Sequence, residues 1–67
     1  MSVVKVIEVM AESTKSWEDA TRTAVRKASK SVDGISSAWV QDQSVTIEDG
    51  EVKKYRVTLK LSFAIKD

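Results

Sequence analysis

The chain has no cysteine and no histidine. Without thiols there are no disulfide staples and no thiolate nucleophile or ligand. Without imidazole there is no Ser-His-Asp or Cys-His catalysis, no zinc site of the usual kind and no ordinary near-neutral proton shuttle. Charge of one sign is scarce too: eleven basic residues face ten acidic ones, for a net +1. That balance is far from the strong positive excess of a nucleic-acid module. Long apolar runs are also missing. The most hydrophobic stretch, Val3-Val4-Lys5-Val6-Ile7-Glu8-Val9-Met10, is broken by charges and much shorter than the roughly 20 residues of a membrane span. It has neither the basic leader nor the continuous apolar stretch of a signal peptide. The expectation is a cytoplasmic protein with no targeting segment and no nucleic-acid or membrane partner.

At 67 residues the chain is also short of the length at which one hydrophobic core provides comfortable stability. Small domains escape by disulfides, metals or oligomerisation, and the composition removes the first and the usual form of the second. Self-association is therefore expected. There is no linker, low-complexity tract or repeat, so residues 1–67 read as a single domain.

Four elements follow from patterning. Val3 to Met10 reads as a strand with valine and isoleucine on both faces: Val3, Ile7 and Val9 on one, Val4, Val6 and Met10 on the other. Both faces are expected to be at least partly covered. Ser16 with Asp19 three residues on reads as a helix start, and Trp17, Ala20, Ala24, Val25, Ala28 and Val32 recur at helical spacing. Acids come early and bases late, complementing the helix dipole, and Gly34 is the expected stop. Trp17 reads as the anchor of the helix start. Asp49-Gly50 between two strand-like segments is the strongest short-range hairpin signal. The last strand alternates cleanly, with Tyr55, Val57, Leu59, Leu61, Phe63 and Ile65 against Arg56, Thr58, Lys60, Ser62, Ala64 and Lys66. So long a strand belongs in the middle of the sheet.

The order is β-α-β-β. A right-handed crossover sets the first two strands parallel, and the last lies antiparallel between them. The expected fold is α+β, a three-stranded antiparallel sheet in order 1-3-2 partly wrapped around one helix. Within the third element the apolar phase slips between Ala38/Val40 and Val45/Ile47. The slip predicts a bulge in Gln41 to Ser44, which either re-aims side chains beside a site or only curves the sheet.

Trp39 stands out because it occupies a polar stretch, Ser36-Ser37-Ala38-Trp39-Val40-Gln41, on the parity that also carries Ser37, Thr58 and Lys60. That is the face the helix leaves open. A ring there calls for another subunit or a flat ligand.

The start Val-Val-Lys-Val-Ile-Glu-Val, the helix opening Glu12 to Ala20, the segment Val40-Gln41-Asp42-Gln43 and the ending Tyr55 to Phe63 together resemble the dodecins over nearly the whole chain. The resemblance implies a hollow homododecamer that stores or scavenges a small molecule and is not an enzyme. The implied ligand is a flavin (riboflavin, flavin mononucleotide or lumichrome), stacked between tryptophans at two-fold axes. Carried over residue by residue, Asp42 and Gln43 match the family's aspartate-containing segment. The stacking tryptophan falls on Ser37, two residues before Trp39, and the ring-binding glutamine falls on Arg56. Arginine supplies donors and no acceptor, so it is expected instead to pair with Asp42 or hold a phosphate. These features resemble the subgroup lacking the flavin tryptophan, one member type of which is associated with calcium. Calcium takes six to eight oxygens, and the acids here show no EF-hand spacing, so only assembly would cluster them.

An enzyme would have to rely on Tyr55, a lysine or a carboxylate pair, and no spacing singles these out. A small RNA-binding α+β domain would need exposed aromatics on its central strand and a basic face, and the sequence offers neither.

Overall fold

Alternating β-branched residues make the first strand, β1 (Val4–Ser13), longer than the sequence expectation. Ala11 and Ser13 continue the alternation opposite Val57 and Tyr55 of the last strand. The chain turns at Ser13. Its hydroxyl oxygen accepts from the Lys15 N–H (2.9 Å) and donates to Asp19 Oδ2 (2.7 Å). Helix α1 (Trp17–Ala28) follows, capped by Ser16, whose hydroxyl accepts from the Asp19 N–H at 2.9 Å. Glu18 and Asp19 lie in its first turn, Arg26 and Lys27 in its last. In the computed structural model, which describes residues 3–65, Lys66 of the expected alternation lies outside the described residues.

The helix stops earlier than expected, at Ala28 rather than near Gly34. Ser29-Lys30-Ser31 follows, and serine competes for backbone partners outside the helix. The last carbonyls are taken up by tight turns: Lys30 N–H donates to the Lys27 carbonyl and Ser31 N–H to the Ala28 carbonyl. Gly34, at φ +75°, then swings the chain into β2 (Ile35–Glu48). Asp49 (φ 53°) and Gly50 (φ 76°) close the hairpin to β3 (Glu51–Ala64), with both residues left-handed as a type I′ turn requires.

The sheet is antiparallel in order β1-β3-β2, as expected for a β-α-β-β chain with a hairpin at its end. Three irregularities shape the β2–β3 pairing, between Ile35 and Ser37, between Val40 and Asp42, and between Thr46 and Ile47. The second is the bulge foreseen from the apolar phase, and it falls on Gln41. The third lies opposite the β3 step from Val52 to Lys54, so the extra residue there is Lys53. One bulge on each strand cancels the other, and the segment Asp42–Thr46 runs one residue out of the register the hairpin turn dictates.

The helix rests on β1 and β3 and hardly touches β2. Ala20, Val57, Leu59 and Leu61 are fully buried, with Ile7, Val9, Ala11, Trp17, Ala24, Val25, Ala28 and Ile35 packed around them. Trp17 anchors the helix start as expected. Its ring meets Tyr55 edge-on at 5.2 Å, and its Nε1–H donates to the Ser44 carbonyl at 2.9 Å. Coverage is one-sided, contrary to the expectation for β1, whose outward residues Val4, Val6 and Met10 are 52, 46 and 62% exposed within one chain.

Leu59→Ala removes the centre of a core with few fully buried side chains and is expected to cost about 2–5 kcal/mol, read by chemical denaturation. Deleting Gln41 removes the bulge and turns either Trp39 or Val45 to the wrong face. A marked fall in melting temperature and a shifted tryptophan emission are expected.

Candidate functional site

The side of the sheet away from the helix is built from the even residues of β1 and β3 and, beyond each bulge, the matching residues of β2. Register pairs assemble it in rows: Glu12–Arg56–Ser44, Met10–Thr58–Asp42, Glu8–Lys60–Trp39 and Val6–Ser62–Ser37. Four of the five sequence-derived site residues, Ser37, Trp39, Asp42 and Arg56, therefore share one face. Gln43 does not. It pairs with buried Val57 and lies on the helix side, because the Gln41 bulge gives Asp42 the outward position.

Trp39 is 44% exposed and is the one aromatic residue on this face among the described residues. Its neighbour across the strand is Lys60, which in turn faces Glu8. Ser37 makes a hydroxyl–hydroxyl hydrogen bond with Ser62, the only buried polar residue among those described. This bond binds the edge of β2 to the central strand and leaves Ser37 no stacking area.

Arg56 does not pair with Asp42. Its Nε–H and Nη2–H both donate to Glu12 Oε2, at 2.9 and 2.7 Å. Lys54 Nζ lies 3.7 Å from the other oxygen of the same carboxylate. The reason is register: Arg56 stands directly opposite Glu12, whereas Asp42 stands opposite Thr58. The Arg56 hydrogen bonds hold the Glu12 carboxyl below its ordinary value; partial desolvation opposes this, and the charges of Arg56 and Lys54 add to it. Sequence reasoning missed Glu12 as the partner, although the β1–β3 register would have supplied it.

The face fits neither implied ligand as the resemblance would build it. Where a flavin would stack there is a serine, and where its ring edge would find an amide there is a guanidinium already satisfied by a carboxylate. For calcium, no group of three or more acidic side chains gathers among the described residues. No described helix is long and apolar enough to cross a membrane.

A family model described as Dodecin matches residues 3–66. A relative named calcium dodecin, from Mycobacterium tuberculosis, is 39% identical over 66 residues, covering 98% of this chain and 93% of the relative. The structure of dodecin from Streptomyces coelicolor superposes with a TM-score of 0.92 at 32% identity, covering 98% of this chain and 94% of that one. The Mycobacterium tuberculosis structure, described as a calcium-chelating antigen with a novel calcium-binding site, superposes with a TM-score of 0.84 at 39% identity, covering 97% and 93%. This chain belongs to the dodecin family.

Because the Glu12 carboxyl is held low in the folded state, its contribution to stability is complete above the ordinary glutamate range and is lost as pH falls through the lowered value. Melting curves taken between about pH 6 and pH 2 are expected to show this loss in the native chain and to lack it in Glu12→Gln. Added salt should narrow the difference between the two proteins, since the pair is partly exposed.

Proposed function

We propose that the chain assembles through the open face of its sheet into a closed homododecameric shell that holds a small molecule and performs no catalysis. The observation that carries this reading is the open face itself. Val4, Val6, Met10 and Trp39 stand 44 to 62% exposed together on one side of a sheet whose other side supports the whole core. In a 67-residue chain, such a surface is what a second copy would cover. Membership of the dodecin family supports the same assembly, and a cytoplasmic setting accords with a chain that carries no cysteine.

The bound molecule is read as a planar ring, with flavin the family's own ligand, seated beside Trp39 rather than at Ser37. A two-residue step along a strand is roughly 7 Å, a full ring width. The ring would therefore lie beside Lys60, one row nearer the Glu12–Arg56 pair than a ring at Ser37. Asp42 stands in the next row and offers acceptors that Arg56 does not. Calcium is the second reading, favoured by the 39% identical relative named for it. It would require carboxylates from several copies.

Light scattering is expected to give a mass near twelve times 7.4 kDa. Riboflavin, flavin mononucleotide and lumichrome added to that material should lose fluorescence, and Trp39→Ala should restore it. A monomer at micromolar concentration would overturn the assembly. A shell that leaves all three flavins bright but melts higher with calcium would replace the first reading by the second.

A further inference from the structure

Two opposite charges stand diagonally from one another on the open face. Lys60 lies directly across from Trp39, and Asp42 lies across from Thr58 in the next row, so an ammonium on β3 and a carboxylate on β2 are diagonal neighbours. Such positions on adjacent strands are roughly 7–8 Å apart. The bulge creates this arrangement. Counting on from Trp39 in strict alternation, the outward place would fall to Gln41, and the bulge gives it to Asp42 instead. Neither charge is used within the described residues. The ion pairs there are those of Glu12 with Arg56 and Lys54, and no side-chain hydrogen bond involves Lys60, Thr58 or Asp42. Glu8, across from Lys60 on the β1 side, is exposed and makes no ion pair with it.

We infer that Lys60 and Asp42 together read one edge of the ring seated beside Trp39, and that the edge they fit is a lactam or imide, a carbonyl with an N–H next to it. This inference rests on the ring-binding reading above and names the chemistry of its ligand. An ammonium donates and cannot accept, and an ionised carboxylate accepts and cannot donate. Set a diagonal apart, they present one donor and one acceptor. That is the complement a primary amide presents from a single side chain. Two hydrogen bonds of roughly 2.9 Å each, with a carbonyl and its neighbouring N–H between them, span the diagonal. Thr58, the β3 residue of the intervening row, is short and leaves the edge room. Arg56 takes no part, because Glu12 holds its guanidinium.

Selection by net charge fits less well. Lys54, Arg56 and Lys60 are matched across this face by Glu8, Glu12 and Asp42, so an anionic ring meets no surplus of positive charge. The pattern of donor and acceptor is what discriminates. A ring edge carrying acceptors alone sets an oxygen against Asp42, and one carrying donors alone sets an N–H against Lys60. Either mismatch leaves a charge unpaired in a covered site, and such mismatches are the strong form of ligand selection.

The test is fluorescence quenching on the assembled protein with two probes, riboflavin and riboflavin methylated on its imide nitrogen, which keeps the ring and loses the N–H. The native chain should bind the methylated probe roughly tenfold more weakly. In Asp42→Leu the two probes should bind alike, and Asp42→Asn, which keeps an acceptor, should restore the difference. Leucine leaves no more room than aspartate, so the loss of the difference separates hydrogen bonding from the bulk of the methyl group. Lys60→Met should weaken both probes by a similar factor, and Lys60→Arg should recover them. Equal binding of the two probes by the native chain overturns the inference while leaving ring binding intact, and this comparison needs no variant to fold. A difference that survives Asp42→Leu, or affinities unchanged in Lys60→Met, also overturns it. A native protein that quenches neither probe overturns the ring-binding reading and this inference together.

Discussion

The whole molecule hangs on β3. It pairs with a strand on each side, so both of its faces belong to the middle of a sheet, yet the described residues include one helix, of 12 residues, with which to cover them. The helix takes the odd face, where Val57, Leu59 and Leu61 become fully buried. The even face, Arg56, Thr58, Lys60 and Ser62, is lined only by its own sheet neighbours. Because α1 rests on β1 and β3, the middle of β2 is open on both sides: Trp39 on one and Val40 on the other are each 44% exposed. A chain this small cannot close that gap by itself, and the distribution of exposed apolar side chains is the direct result.

The irregularities of β2 then decide what the open face can hold. With perfect alternation from the hairpin turn, Val45 and Trp39 would share one side of the sheet. The bulge at Gln41 separates them, keeping Val45 beside Tyr55 on the helix side and leaving Trp39 opposite Lys60 on the other. The same bulge turns Asp42 outward and Gln43 inward. A bulge of this kind adds local bend and twist, and here it selects which residues of β2 face outward.

Electrostatics on this face are local. Glu12 accepts the guanidinium of Arg56 through one oxygen and lies near Lys54 through the other, an arrangement that uses up the donor a ligand edge would have needed. The pair is partly exposed, and such pairs contribute little to net stability. Its consequence is positional: it fixes Arg56 toward β1 and away from Trp39. The polar groups nearest the indole in the register, Lys60 across from it and Thr58 and Asp42 in the next row, differ in kind from an amide.

Much of the fold was legible because it is local. The Ser16 cap, the Asp49-Gly50 turn and the strict alternation of β3 each act through neighbours a few residues away, and two connection rules then leave little choice of strand order. The resemblance on the quoted segments carried the family. The early end of α1 was misjudged because Gly34 is a strong stop signal, while the weaker preference of Ser29 and Ser31 for turns acts first. The partner of Arg56 was misjudged because Asp42 and Glu12 are equally plausible acids until strand register is known. Sequence alone therefore determined the elements, their order and the presence of an unpartnered tryptophan, all set by periodicity and local backbone preference. Which side chains meet, Glu12 with Arg56, Trp17 with Tyr55 and the Ser44 carbonyl, and Trp39 with Lys60 rather than with a core, was decided only by tertiary structure, because one bulge or one step of register exchanges every contact along a strand.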